Sequence, residues 1–547
     1  MPCQPQLHVI HSVTSSSSAR ILTRDRDEER AAPAAPAGRS WPQRLPRAVR
    51  LAAALAGLAA IAAYLFVALR RLDYPFALEW LEGNSLVEVR RLLAGQQLYQ
   101  APSVSYVPDG YPPLYFALSA VAARVLGASY LTLRLVSLVS SLACFALLAR
   151  LVKRETGSAA AGVAAAGAFA ATYFVTDTWF DVARVDSLFL ALSIGGLYAA
   201  RRMGGPGGAV TAGVLLAAAA LTKQTGLAEA VVVPVALLAG PHRRLAAVTA
   251  LTEFAVLGVT TLVLGLTSGG WYVYYVFQLM SQHPLTYGNL GWFWTALATA
   301  LGLACCAALA GARRVPGVLL AGCAALGAEG YAALVHSGGG INDVLPAYLA
   351  VALLAGLALG RGPSTGRLAR TRAAVPPALV LSQLALLLSA FHPAQSIPGA
   401  ADRGVGERLL AGIRAFGGTV AVPADPGLSL AAGLPPVAHQ DAAYDVLRGT
   451  DQAAIASFRR SAADAMADRR FSAIITDSPS APYAYPGSPG RTYYQCPQPL
   501  LAGVPAVLFR PVAGVAGRPM YVWLPRGGAS CAVAARVLDG VTEGVRP

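Results

Sequence analysis

Long apolar runs recur along this chain and constrain it more than any other feature. Leu51 to Leu69, Ala159 to Val175 and Ala246 to Leu266 approach or reach the roughly 17–25 residues that a helix needs to cross a bilayer. In lipid each backbone N–H and C=O has to be satisfied within the protein, which favours helices for such runs. Hydrophobic residues make up 55% of the chain and charged ones 13%, against about 25% charged in an ordinary soluble domain. The expected fold class is therefore a polytopic α-helical membrane protein, with membrane lipid as its main solvent.

The formal net charge of +15 does not point to nucleic acid. The arginines stand largely in short groups at the ends of apolar runs, where the positive-inside rule explains them as orientation signals. Cys144, Cys305, Cys306 and Cys323 lie in apolar runs as small packed side chains, and no Cys/His spacing suits zinc. Cys496 and Cys531 lie in a polar tail, where they can pair if that tail is exported.

Residues 1–50 combine Ser15 to Ser18, a mixed-charge stretch and an Ala/Pro-rich segment, a composition expected to be a disordered cytoplasmic tail. Arg44, Arg47 and Arg50 precede the first run and favour an uncleaved anchor. Lys153 and Arg154, Arg201 and Arg202, Arg243 and Arg244, Arg313 and Arg314, and the group Arg361 to Arg372 then act as cytoplasmic markers. If all are inside, the chain between neighbouring markers crosses an even number of times. That predicts about eleven spans within residues 51–395, with a long first outside loop at 70–130. The outward tips fall near 177–186, 223–226, 267–291 and 336–343. Residues 396–547 are expected outside as a small α/β domain, with strands at Thr419 to Val422 and Ser472 to Thr476 and a helix over 451–469. The protein is thus expected in the cell membrane, multi-pass, with its N-terminus cytoplasmic and its C-terminal domain extracytoplasmic.

The first loop carries the richest chemistry. It reads Leu78-Glu79-Trp80-Leu81-Glu82-Gly83, then an amphipathic run to Gly95, then Tyr111-Pro112-Pro113-Leu114-Tyr115. Glu79 and Glu82 are three apart and would share a helix face. Each is either a catalytic carboxylate or a solvated loop residue paired with Arg90 or Arg91. No Asp-x-Asp motif or phosphate-cradling loop signals a nucleotide sugar. His283 and His336 are isolated, so no metal is expected, and no cofactor.

In this order of features the chain resembles the GT-C superfamily of polyprenyl-phosphate-sugar glycosyltransferases, in particular its protein O-mannosyltransferase and lipid A aminoarabinose transferase branch. The resemblance rests on an acidic position after the first span, a Gly closing an amphipathic segment, paired prolines and an Arg opening the next span. Here these are Glu82, Gly95, Pro112-Pro113 and Arg134, within residues 51–245. Leu81 stands where the branch carries the Asp of an Asp-Glu pair.

The resemblance implies transfer of a sugar from a polyprenyl phosphate to an extracytoplasmic glycan, lipid or protein acceptor in the cell envelope, with inversion. Glu82 is then the general base, or Glu79 from one turn earlier. Developing phosphate charge needs fixed cations, for which Arg134 and Lys223 are the candidates. Arg134 is the better of the two; its other reading is a helix-end anchor, and that of Lys223 a loop-tip lysine. Tyr111, Asp181, Arg184, Asp186, Gln224, His336 and Asn342 are further substrate-binding candidates on the same face, although Arg184 and Asp186 also suit an internal ion pair. The Gly run before Asn342 either admits a ligand close to the backbone or is an ordinary turn. Two other readings remain: a transporter or flippase for a lipid-linked or anionic substrate, and a non-catalytic relative that lost the paired Asp.

Overall fold

The computed structural model describes residues 45–202, 204–241, 243–360, 367–479, 491–497 and 521–541. Residues 1–44 of the expected cytoplasmic tail and the start of the Arg361 to Arg372 group lie outside the described residues, while residues 45–50 of that expected tail belong to a helix. The helices are α1 (Leu45–Arg71), α2 (Glu82–Leu93), α3 (Leu114–Leu126), α4 (Tyr130–Thr156), α5 (Ala159–Ala171), α6 (Asp186–Arg201), α7 (Pro206–Ala220), α8 (Leu227–Leu238) and α9 (Arg243–Thr267). They continue with α10 (Asn289–Gly311), α11 (Gly317–Val335), α12 (Leu345–Gly360) and α13 (Arg367–Ser389).

Among the described residues, six helices are long and apolar enough to cross a membrane: α1, α4, α9, α10, α11 and the one containing α12. A bent pair, Ala373–Ser389 with Pro393–Ala415, makes a seventh if it is one span. Against the eleven spans expected, α5, α7 and α8 are apolar but shorter. α6 has 16 residues.

Local signals explain the breaks. The side chain of Ser129 accepts from the amide of Thr132 and starts α4, while Gly157 ends it in the left-handed conformation at φ 72°. The side chain of Ser158 then accepts from the amide of Ala161 to start α5. α1 packs on α5 and α13, α4 on α5 and α6, and α10 and α11 on α12. At the α1–α5 crossing, a Cβ on Gly167 would lie 2.0 Å from the Cα of Gly57, so glycine is what lets these backbones approach.

Beyond α13 come α14 (Ala400–Ala415), α15 (Pro426–Ala431), α16 (Gln440–Leu447), α17 (Gln452–Ala467) and α18 (Cys531–Leu538). They accompany a four-stranded sheet of order β1-β2-β4-β3. β1 (Val420–Ala421) pairs parallel with β2 (Ala473–Thr476). β4 (Tyr521–Pro525) pairs antiparallel with β2 and with β3 (Tyr493–Gln495), placing Ile474 opposite Trp523. Cys496 and Cys531 form a disulfide. The carboxylate of Asp451 caps α17 by accepting from the amides of Ala453 and Ala454.

This α/β layer is bound to the first loop. The amide of Ala438 donates to the Val104 carbonyl at 2.9 Å, and the hydroxyl of Ser457 to the Pro102 carbonyl at 3.1 Å. α15 packs on α2, where a Cβ on Gly83 would meet the Asp425 carboxylate at 2.2 Å. Gly83→Ala is therefore expected to lower the melting temperature of the detergent-solubilised protein, by an overpacking cost of about 1–3 kcal/mol. Gly95→Ala provides the contrast: nothing lies within 4 Å of a Cβ there, so its cost would come only from φ +70°.

Candidate functional site

Two buried arginines shape the first loop. The Arg71 guanidinium, at the end of α1, donates to both carboxylate oxygens of Asp181 at 2.8 and 2.6 Å. It also donates to the hydroxyl and carbonyl of Thr178 at 2.9 and 2.5 Å. Asp177 and Thr178 are held there at φ 50° and 58°, a left-handed strain that survives only where surrounding bonds enforce it. Arg134, in the second turn of α4, donates to Glu82 at 2.9 and 2.6 Å and to the carbonyls of Tyr74 and Phe76, each at 2.6 Å. Both members of that pair are fully buried.

Glu82 is saturated. Besides Arg134 it accepts from the backbone amides of Ala183 and Leu78, each at 2.6 Å. Burial alone pushes its carboxyl upward, but the adjacent Arg134 charge and these bonds outweigh that and hold it below the usual carboxylate range.

Glu79 differs. It is equally buried, its Oε2 accepts from the Leu81 amide at 3.0 Å, and its Oε1 has no partner. Burial lifts its carboxyl to about 8, Arg184 opposes the rise, and the charges of Glu82 and Asp109 add to it. The Arg184 guanidinium lies 3.7 Å from Glu79 and donates to the Tyr111 hydroxyl at 3.0 Å. Its Nε and Nη1 are buried without hydrogen-bond partners.

A second group adjoins these residues. The Lys223 ammonium donates to Asp186 at 2.9 Å and Asp343 at 2.8 Å. Asp186 also accepts from the Trp179 indole at 2.8 Å and from the Asn342 amide at 3.3 Å. Gln224 donates to the Gly110 carbonyl at 2.9 Å, joining the 223–226 tip to the segment that carries Tyr111. Both tips therefore reach the first loop through side chains.

Of the residues singled out from sequence, Glu79, Tyr111, Arg184, Asp186, Lys223, Gln224 and Asn342 come together here. Asp181 is committed to Arg71, and Arg134 to Glu82 and backbone carbonyls. His336 is a loop tie whose Nε2 lies 2.7 Å from the Met280 carbonyl oxygen, facing His283 at 5.5 Å between rings.

Sequence reasoning did not single out Asn84, Glu88, Asp109 or Asp343 as site residues. It also passed over Glu229, Glu253 and Glu329, which are buried within α8, α9 and α11. An isolated carboxylate in an otherwise apolar helix was the available signal for those three.

Residues 110–272 match a family model described as dolichyl-phosphate-mannose-protein mannosyltransferase. The structure of ArnT from Cupriavidus metallidurans bound to undecaprenyl phosphate is similar at a TM-score of 0.55 and 14% identity, covering 86% of this chain and 97% of that one. The chain has the GT-C fold. The apo structure of the same ArnT gives a TM-score of 0.51 at 14% identity, covering 70% of this chain and 85% of that one. No curated protein sequence matches the chain. The family match is confined to residues 110–272, and the fold likeness to ArnT extends over most of the chain.

Arg134→Leu, which would leave the Glu82 carboxylate buried without its cation, is expected to cost about 3–5 kcal/mol. Thermal unfolding in detergent should register the loss whether or not a substrate is present. An unchanged unfolding temperature would contradict the anchoring role.

Proposed function

We propose that this protein is a membrane glycosyltransferase that moves a sugar, with inversion, from a polyprenyl phosphate to an extracytoplasmic acceptor in the cell envelope. The observation that carries the reading is the buried pair of Glu79, whose Oε1 has no hydrogen-bond partner, and Arg184, whose Nε lies 3.7 Å from Glu79 Oε2 and whose Nη1 has no hydrogen-bond partner. A base and a cation are adjacent, and both have bonding capacity to spare.

In the proposed step Glu79 Oε1 takes the acceptor hydroxyl proton as that oxygen bonds to the anomeric carbon. The bond from the anomeric carbon to the phosphate oxygen breaks on the opposite side, and the electron pair leaves with the phosphate. Arg184 faces the charge that develops there, with Lys223 behind it. Glu79 replaces Glu82 as the base because every nearby donor already holds Glu82. Arg184 replaces Arg134 as the phosphate ligand because the Arg134 nitrogens donate internally. Phosphate on Arg184 would also weaken its pull on Glu79, making that carboxylate a stronger base in the ternary complex.

The reading includes the membrane arrangement. Alongside the full-length spans we count α5 to α8 and α13 as crossings, which makes eleven with the basic groups inside. The site then lies at the outer face, with the N-terminus in and the α/β layer out. Tags at residues 223 and 340 should be accessible from outside; cytoplasmic tags there would overturn the orientation.

Protein supplied with polyprenyl-phosphate sugars and envelope acceptor should release polyprenyl phosphate. Glu79→Gln should slow release by roughly 10²–10⁴-fold while leaving the unfolding temperature near that of wild type. Full turnover by that variant would remove Glu79 from the role.

Because the base works ionised, kcat/KM should climb with pH through about 8, where burial has placed the Glu79 carboxyl. Stability shifts the other way. A carboxyl raised above its unfolded value binds its proton more tightly when folded, so this contribution is complete below the unfolded value and is lost as pH rises through about 8.

A further inference from the structure

Near Glu79, on whose carboxyl the Asp109 charge acts, three buried side chains form a connected group that the proposed step does not use. Asn84 donates from its amide to Asp109 at 2.7 Å, and the Asp109 backbone amide donates to Glu88 at 2.6 Å. Each keeps one oxygen with no partner: Oδ1 of Asn84, Oε2 of Glu88 and Oδ2 of Asp109. All three residues are at most 4% exposed. With Oε1 of Glu79, four buried acceptors therefore lack donors. Buried polar atoms are ordinarily paired, and a set of orphans concentrated in one place calls for an occupant.

We propose that Asn84, Glu88 and Asp109, bordered by Glu79, are the acceptor subsite, and that the acceptor they take is an uncharged, hydroxyl-rich glycan end. This rests on the transferase reading above and assigns the other half of its substrate pair. A sugar ring offers several O–H donors within a small volume, which is what the four oxygens lack. An acceptor with phosphate or carboxylate beside its attacking hydroxyl would bring more acceptor oxygens to a group that already has an excess.

An ammonium would satisfy the group only if the carboxyls were ionised. Burial foremost raises both Glu88 and Asp109 above the usual carboxylate range; the Asp109 charge adds to the rise at Glu88, while Arg184 and His439 oppose it at Asp109. A carboxyl in its protonated form donates as well as accepts, a match for sugar hydroxyls. A metal is a poor alternative: among the described residues, no group of three His, Cys, Asp or Glu is arranged to hold one. The α/β layer closes the far side. Its His439 Nδ1 accepts from the Asp441 amide at 3.1 Å, leaving Nε2–H to donate to the Trp80 carbonyl at 3.1 Å.

The test measures binding on the full chain in detergent, with octyl mannobioside as the neutral probe. Octyl glucosaminide and octyl mannoside 6-phosphate serve as the cationic and anionic probes. Undecaprenyl phosphate is titrated separately as the lipid-phosphate probe.

The neutral glycoside should raise the unfolding temperature of wild type most. Asp109→Asn and Glu88→Gln, which keep shape, should each weaken its binding about ten-fold and leave undecaprenyl phosphate binding unchanged. If one variant fails to fold, the other supplies the comparison, and Asn84→Ala gives a third. Preference for the amino or phosphate probe, no stabilisation of wild type by the neutral one, or equal binding by wild type and variants would overturn the subsite. Loss of undecaprenyl phosphate binding alone, with glycoside binding intact, would count against the donor reading and leave the subsite standing.

Discussion

The pairing of Arg134 with Glu82 is the constraint on which the rest of this site depends. A guanidinium and a carboxylate have both been taken wholly out of water, an arrangement whose desolvation is offset only when nearly every polar atom finds a partner. Here the partners come from two segments of the chain: the carbonyls of Tyr74 and Phe76 and the amide of Leu78 in the first loop, and the amide of Ala183 before α6. Satisfying the pair therefore brings the first loop, the second turn of α4 and the segment entering α6 to one point. Arg71 repeats the device one step away by holding the strained Asp177–Thr178 turn and Asp181.

Two carboxylates three residues apart are driven to opposite chemistry by this scaffold. Glu82 is surrounded by donors and held below the usual carboxylate range, whereas Glu79 has one amide, a guanidinium 3.7 Å away and an oxygen with no hydrogen-bond partner. Environments that push like groups apart are how a single site separates structural from chemical roles. Leu81 gains a physical meaning from this. Its side chain brings no carboxylate, but its amide holds Glu79 Oε2, so the backbone at that position orients an acid that lies two residues earlier.

The predominantly helical architecture with several spanning-length helices was legible in the sequence because apolar run length is a property of contiguous residues. The strands at Val420–Ala421 and Ala473–Thr476 fall inside short apolar runs bounded by Gly, Pro or charged residues. The helix at Gln452–Ala467 follows an Asp at its cap. The convergence of Arg184, Asp186, Lys223 and Asn342 was anticipated only as a shared face, since parity fixes a side of the membrane and says nothing of lateral distance. Choosing between Glu79 and Glu82 was beyond sequence because it turns on Ala183, about a hundred residues downstream. Asn84 and Glu88 were illegible for a related reason: on an amphipathic surface helix, polar residues ordinarily face solvent, and the α/β layer packed on α2 turns this face into an interior. Asp109 lies in the loop before α3, where a carboxylate reads as solvated.

That covering also bears on what the residues beyond α13 are for. They reach the first loop at Val104, Pro102 and Trp80. They also reach the last tip, where Arg448 donates to the hydroxyl of Ser337 at 2.7 Å and to its carbonyl at 3.1 Å. His283, on the intervening segment, meets the Asp445 carbonyl at 2.9 Å. One layer thus ties together loops whose side chains supply both Glu79 and Asp343. A tethered appendage would touch one of them. Bridging both means that the separation between the Glu79 and Lys223 ends of the site is set partly by the α/β layer, and any movement that opens the site has to move that layer too.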